Sequence, residues 1–434
     1  MPLATAALIS PTTPTSESLR VHFPGLASQT VFLDNAGGSQ VPIHVIDAAR
    51  DYFVHRCAQT GAAYEASRAA AATVAAAHTV VKTFLNGHGS GEVALAQSTS
   101  SLVHILANAY ADALHNGGVR RRRVIVSTLG HEANIWPWVR LAARGFEVVP
   151  WQPMRSGNLW TLDHDALDGL LDERTLLVAF PHVSNIMGQI EDAGAVCRRA
   201  GSVGARSVVD GVAFAPHRAP DVAALGCDWY LYSTYKVFGP HAAAAFGGHA
   251  AFAELDGPNH YFLPRTSVPY VYELGGVPHE SAAAIRAFDR YLHAVTGEDP
   301  DGETTLPTSR ATYVRAFKAF ELIEEGLQTR LLDGLKQTAG VVIAGSAEGG
   351  RDRVCTVSFY VPGTSSAGVA AALNAAEIGV KAGNFYSRRL IQRMGLDPAD
   401  GVVRISLAHY NTIQEVETVL NALRRHLRGV SERG

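Results

Sequence analysis

Cysteine is scarce in this chain of 434 residues. Cys57, Cys197, Cys227 and Cys355 are too few and too scattered for a disulfide framework, and no C-x-x-C pair exists to hold zinc or run dithiol chemistry. A reducing cytoplasm is the expected compartment. Long apolar runs are missing as well: the Ala-rich stretch from Ala69 to Ala77 is short and interrupted by Thr73, so no membrane partner is expected. Neither sign of charge dominates. With 37 Lys+Arg against 40 Asp+Glu, the net charge of −3 leaves no footprint for nucleic acid or an anionic surface. The one basic cluster, Arg120 to Arg123, reads as a solvated loop edge. The first 18 residues lack a basic head and a sustained apolar core, and read as a flexible Pro/Thr/Ser leader rather than a signal peptide.

Several familiar motifs are also missing. There is no G-x-x-x-x-G-K-[ST] phosphate loop and no G-x-S-x-G elbow, and His131-Glu132 is followed by Ile135 where H-E-x-x-H needs its second histidine. Eighteen histidines are present, but none pairs at ligand spacing with Cys or carboxylate, so no metal is expected.

What is present is an alternation. An apolar fraction of 47% supports one large core and a smaller second one. Short β-branched or aromatic runs at 31–34, 92–96, 123–129, 146–151, 175–180, 206–210, 229–233 and 242–248 read as strands. They are separated by helical periods at 64–85, 99–115, 133–143 and 192–200. Such alternation predicts an α/β fold with a mainly parallel sheet and helices on both faces, where ligands bind beyond the carboxyl ends of the strands. After the Gly/Pro-rich stretch 257–278 the pattern changes to α+β: helices at 280–297 and 308–337, strands at 341–345 and 353–361, a helix at 366–377, a strand at 402–409 and a helix at 412–428. The expected division is a leader and N-terminal segment (1–26), a large domain (27–290) and a small α+β domain (291–434).

The informative stretch is VVDGVAFAPHRAPDVAALGCDWYLYSTYKVFGPH, 208–241. It places Asp210 at the end of one strand and Lys236 just past the end of the next. A lysine in a turn is often only a surface residue. An acid one strand away instead suits a cofactor that needs an amine at one end and a carboxylate at the other. Pyridoxal phosphate fits: its aldehyde forms a Schiff base with lysine, and its ring nitrogen must stay protonated.

With Phe32-Leu33-Asp34-Asn35-Ala36 near one end and Val403-Arg404-Ile405-Ser406 and His409-Tyr410-Asn411-Thr412 near the other, the chain resembles the class V aminotransferase group of fold-type I pyridoxal-phosphate enzymes. Within it, the cysteine-desulfurase-like branch is the most similar. The resemblance implies a seven-stranded, mainly parallel sheet, and a homodimer with active sites at the subunit interface. It implies that Lys236 carries the Schiff base, Asp210 pairs with the pyridinium nitrogen and His131 stacks on the ring. Asn185 would lie near the ring hydroxyl and the substrate carboxylate. Thr99, Ser100, Ser233 and Tyr235 would bind phosphate, which the start of a helix at 99–101 independently favours. Arg404 would hold the α-carboxylate, with Asn35 also facing the substrate.

Three departures limit the transfer. The loop after Gly383 in KAGNFYSRR puts Tyr386 where desulfurases carry the sulfur-accepting cysteine, and no cysteine lies within 25 residues of that loop. The residue three after Asp210 is Ala213, so one hydrogen bond to the ring oxygen is lost. The glycine-threonine pair that reaches the neighbouring subunit's phosphate reads Gly275-Gly276, leaving the Gly276 backbone N–H. These point to an amino-acid lyase: β-elimination, C–S cleavage or decarboxylation. An ordinary aminotransferase, a decarboxylative aldol-type C–C bond-forming enzyme and a non-catalytic scaffold stand as alternatives. Lys381 reads either as a partner for a distal substrate carboxylate or as a solvated loop residue, and Tyr386, Asn384 and His279 are further pocket candidates.

Overall fold

A computed structural model describes residues 14–298 and 308–431. Its large sheet has seven strands: β1 (Gly91–Ala96), β2 (Arg123–Ser127), β3 (Glu147–Trp151), β4 (Thr175–Pro181), β5 (Arg206–Asp210), β6 (Trp229–Ser233) and β7 (Ala243–Gly248). Their order is β1-β7-β6-β5-β4-β2-β3. β7 runs antiparallel to β1 and β6, and every other pair is parallel. The carboxyl ends of β1 to β6 therefore gather at one edge. β4 is buried along its whole length, as expected for a central strand covered on both faces.

Helices α1 (Glu65–Leu85) and α2 (Thr99–His115) cover opposite faces. α1 ends at Asn86, whose left-handed backbone (φ 56°) lets its N–H and that of Gly87 return to the last carbonyls. α2 begins with a reciprocal Ser98–Ser101 capping box. The expected helix at 133–143 is broken into a 3-10 turn (Glu132–Asn134), one α turn (Trp136–Val139) and a second 3-10 turn (Arg140–Arg144). Pro137 accounts for the first interruption, because it has no N–H to donate back to the carbonyl of Ala133 and is tolerated only in the first turn of the helix that starts at Trp136.

α3 (His279–Thr296) and α4 (Arg310–Lys336) lead to a small antiparallel sheet of β8 (Val342–Ala344), β9 (Thr356–Tyr360), β10 (Lys381–Gly383) and β11 (Val402–Ser406), ordered β8-β9-β11-β10. The expected strand at 402–409 stops at Ser406, and β10 is too short to show in the sequence pattern. α5 (Ile413–Ser431) and α4 pack against this sheet.

The run at 31–34 does not join the large sheet. Val31 and Phe32 pair in parallel with Ile378 and Gly379, and Asp34 bridges to Ser406. Leu33, fully buried among small-sheet side chains, anchors the crossing. Residues 1–13 of the expected leader lie outside the described residues. The leader reading extends too far, because Thr15 caps a helix over Ser16–Arg20. Arg20 then meets Glu415 at 2.9 Å. The Arg120–Arg123 cluster is more than a solvated edge: Arg121 donates to the Thr175 carbonyl at 3.1 Å, and Arg123 pairs with Asp172 at 2.7 Å. Among the described residues no helix is long and apolar enough to cross a membrane, and no group of three or more His, Cys, Asp or Glu is placed to hold a metal.

Candidate active site

At the carboxyl edge of the large sheet lies a cavity lined by Thr99, His131, Asn185, Asp210, Ala213, Tyr235 and Lys236 among others. Each reaches it by local chain geometry. Lys236 closes a 3-10 turn, Thr234–Lys236, directly after β6. The turn is braced: Thr234 Oγ1 donates to the Ala242 carbonyl at 2.9 Å, and Ser39 Oγ donates to the Tyr235 carbonyl at 3.1 Å while accepting the Phe238 N–H at 2.8 Å. The Lys236 amine has no hydrogen-bond or ion-pair partner among the described residues. Burial, reinforced by the Arg404 charge, pulls its pKa down to about 8, against the opposing pull of Asp210 and Asp34.

Asp210 ends β5. Its Oδ1 accepts the Val212 N–H at 3.0 Å, and its second oxygen has no bond among the described residues. Burial raises its pKa, while the Val212 bond and the Lys236 charge oppose the rise. His131 accepts the Ala133 N–H on Nδ1 at 3.0 Å, which puts the proton of the neutral ring on Nε2. Burial, with Lys236 and Arg404 nearby, depresses its pKa to about 3, so the ring is neutral. Thr99 opens α2, and its hydroxyl meets Ser233 Oγ at 2.8 Å. Because Thr99 both opens α2 and lines the cavity, the start of that helix lies at the cavity's edge. Ser100 is exposed and does not line the cavity. The Tyr235 ring stacks on His241, with centroids 4.5 Å apart.

The remaining candidates depart from expectation in instructive ways. Asn35 is not free to meet a substrate: it donates to the Ser406 carbonyl at 2.8 Å and to Asn411 at 3.0 Å, and accepts from the Tyr410 hydroxyl at 2.5 Å. Its neighbour Asp34 turns to Arg404 instead, its Oδ1 accepting from Arg404 Nη2 at 2.9 Å. Arg404 is buried, donates to the Asn185 carbonyl at 3.3 Å, and lies 3.9 Å from the centre of the Phe385 ring. It does not line the cavity directly. Asn185 is half committed, its amide donating to the Phe385 carbonyl at 3.0 Å and accepting from Ser387 at 2.8 Å.

The loop that carries Tyr386 is fastened down. Phe385 and Tyr386 both adopt left-handed backbone (φ 47° and 58°), and the Glu132 N–H donates to the Tyr386 carbonyl at 2.8 Å. Arg389 pairs with Glu132 at 2.7 Å. The Tyr386 side chain is 66% exposed, its ring 5.1 Å from that of His131. Lys381 sits opposite Arg404 in the β10–β11 register and is exposed. Asn384 is occupied by the Tyr386 N–H and the Pro398 carbonyl, and His279 by Tyr52, so neither is a pocket group here. Gly276 (φ 84°) has open space around it and lies outside the cavity lining. Asp34, Phe385, Ser387 and Glu132 were not singled out from sequence. Asp34, Phe385 and Ser387 had one signal, their place in the same motifs as Asn35 and Tyr386.

The family model for aminotransferase class-V matches residues 31–247 and 312–419. The chain belongs to the class V aminotransferase family. Class V aminotransferases and cysteine desulfurases are pyridoxal 5'-phosphate enzymes, and so is this chain. It is 36% identical over 415 residues to the aminotransferase-like protein FGM3 of Gibberella zeae, covering 94% of this chain and 97% of that protein. It is 30% identical to a cysteine desulfurase of Synechococcus elongatus, covering 91% of this chain but only 60% of the relative. In fold it matches the apo structure of the cysteine desulfurase from Thermococcus onnurineus with a TM-score of 0.81 at 22% identity, over 96% of this chain and 99% of that one. The class V cofactor fits the residues present. An unpartnered amine of lowered pKa and a buried carboxylate with a free oxygen border one cavity, with a helix start and two hydroxyls at its corner.

Proposed function

We propose that the protein acts on an amino acid as a lyase-type enzyme, through β-elimination, C–S cleavage or decarboxylation, with no persulfide cysteine. When bound, pyridoxal phosphate supplies an electron sink for the bond that breaks at the substrate's α or β carbon. Lys236 would hold its aldehyde carbon, Asp210 its ring nitrogen, and His131 one ring face. Thr99, Ser233 and the start of α2 would hold its phosphate. Arg404 orients the substrate carboxylate, where a planar two-pronged donor suits the geometry. Lys236 Nζ then takes and returns protons at the substrate, because an amine near pKa 8 exchanges protons readily close to neutral pH.

The observation that carries this reading is the pairing of an unpartnered Lys236 amine with Asp210 in a cavity that no thiol lines. Cys197, Cys227 and Cys355 are buried elsewhere, and Tyr386 stands in the loop. The test is to incubate the holoenzyme with single amino acids, sulfur-containing and acidic ones included, and to measure keto acid, sulfide and CO2 by mass analysis. Catalytic release of sulfide or CO2 without a protein persulfide is expected. A Lys236→Ala protein that turns over at the wild-type rate refutes the assignment.

The similarity to the aminotransferase-like protein of Gibberella zeae supports a second reading, transamination. It would show as one equivalent of keto acid per site when no amino acceptor is present. A new C–C bond in the product would mark the aldol-type alternative. No turnover and no borohydride-fixed adduct on Lys236 would mark a scaffold. We also place the protein in a reducing cytoplasm and pair it as a homodimer through the segment around Gly275-Gly276. Tyr261 (99%) and Phe262 (67%) are exposed nearby in sequence, which is unusual for rings of that size. Light scattering of the purified protein gives the mass that decides this.

A further inference from the structure

Arg404 is poorly satisfied for a buried guanidinium. Its Nη2 meets one oxygen of Asp34 at 2.9 Å, its Nη1 reaches the Asn185 carbonyl at a long 3.3 Å, and its Nε is buried with no partner among the described residues. The Phe385 ring covers one face. Asp34 is held from the backbone by its bridge to Ser406, the last residue of β11, but its carboxylate is partly solvated and, among the described residues, pairs with no cation other than Arg404. A carboxylate that spanned Nη2 and Nε would satisfy the orphaned N–H and form the two parallel bonds that a guanidinium favours. Asp34 makes only one of them.

We propose that Asp34 is a specificity-determining residue: its carboxylate holds Arg404 when no substrate is present and competes with the substrate's own carboxylate for that guanidinium. This rests on the reading of Arg404 as the carboxylate site of a pyridoxal-phosphate enzyme. Two carboxylates on one guanidinium repel each other, so Asp34 must swing toward solvent or share the fork as the substrate enters. Its side chain is 31% exposed, which leaves it somewhere to go. Asp34 thereby weakens the hold on any substrate or product carboxylate and speeds its departure. Asp34 also lies close enough to Lys236 to bias that amine, so the test needs a ligand lacking only the carboxylate charge.

L-alanine and L-alaninamide supply that pair. Each is titrated into wild-type, Asp34→Asn and Asp34→Ser holoenzyme, and its Kd is read from the change in the cofactor's visible absorbance, with thermal melting recorded for each variant. In the variants the preference for alanine over alaninamide should rise by about tenfold, roughly 1.4 kcal/mol. A merely structural role for Asp34 would move both ligands together. An unchanged preference in both variants, or alanine binding that weakens in step with alaninamide, overturns the proposal while the cofactor assignment stands. A wild-type protein with no cofactor band that borohydride bleaches overturns both.

Discussion

Replacing Lys236 by methionine in protein freed of its cofactor should make the fold more stable near neutral pH. The amine's pKa falls from 10.5 in the free side chain to about 8 in the folded protein, mainly through burial. At about 1.4 kcal/mol per tenfold change, this corresponds to about 3 kcal/mol. The direction follows from proton counting. Between about 8 and 10.5 the unfolded chain holds the proton and the folded one does not, so stability rises with pH through that window. Below about 8 both states are charged, and the folded state carries the full cost of a buried ammonium. Methionine has similar reach and no charge, so it removes that cost with little change in packing. Urea unfolding of the two cofactor-free proteins at about pH 7 should favour Lys236→Met by about 2 to 3 kcal/mol, and the gap should close above about pH 10.5. Groups remote from Lys236 titrate alike in both proteins and cancel in the difference, whereas Asp210, which loses the Lys236 charge, does not. Equal stability, or a less stable variant, near neutral pH would refute the claim that this amine is held against its preference.

Glu191 offers a companion measurement. Burial raises its carboxyl pKa to about 7, with one oxygen lacking a partner among the described residues. The folded state then holds the proton when the unfolded state has lost it, so stability falls as pH rises from about 4.5 to 7. Glu191→Gln should melt higher than wild type at about pH 8, with the advantage gone below about pH 4.5. Asp210→Asn should keep the fold and cut turnover by about a hundredfold, the scale on which a single aimed charge acts, while melting within a few degrees of wild type. Arg389→Ala removes a partly solvated ion pair to Glu132 and should cost about 1 kcal/mol in urea unfolding, but raise protease cleavage in the Phe385–Tyr386 loop.

The strands of the large sheet were legible because their apolar runs alternate with helical periods and turn residues, and that alternation alone put Asp210 and Lys236 on one edge; the count of seven came from the resemblance, since the pattern also offered the run at 31–34. What the sequence hid was orientation. Successive residues of an extended segment point to opposite sides, so a motif match over Asp34-Asn35 cannot say which one faces the site. Here Asn35 turns inward to Ser406 and Asn411, and Asp34 turns to Arg404. The broken helix at 133–143 shows periodicity interrupted first at a proline. The left-handed backbone of Phe385 and Tyr386 had no signal, since neither residue type announces it. Their conformation is fixed by Glu132 and Asn185, which lie far away in sequence.

Asp34 and Arg404 stand 370 positions apart in the chain. The half of the pocket built from β5 and β6 has all its residues outside the ribosome once Gly248 has left the exit tunnel. Arg404 and its acidic companion cannot meet until the closing strand has left the exit tunnel. A nascent chain can therefore present its cofactor cradle well before it can grip a carboxylate, an order of assembly set by where the two segments fall along the polypeptide.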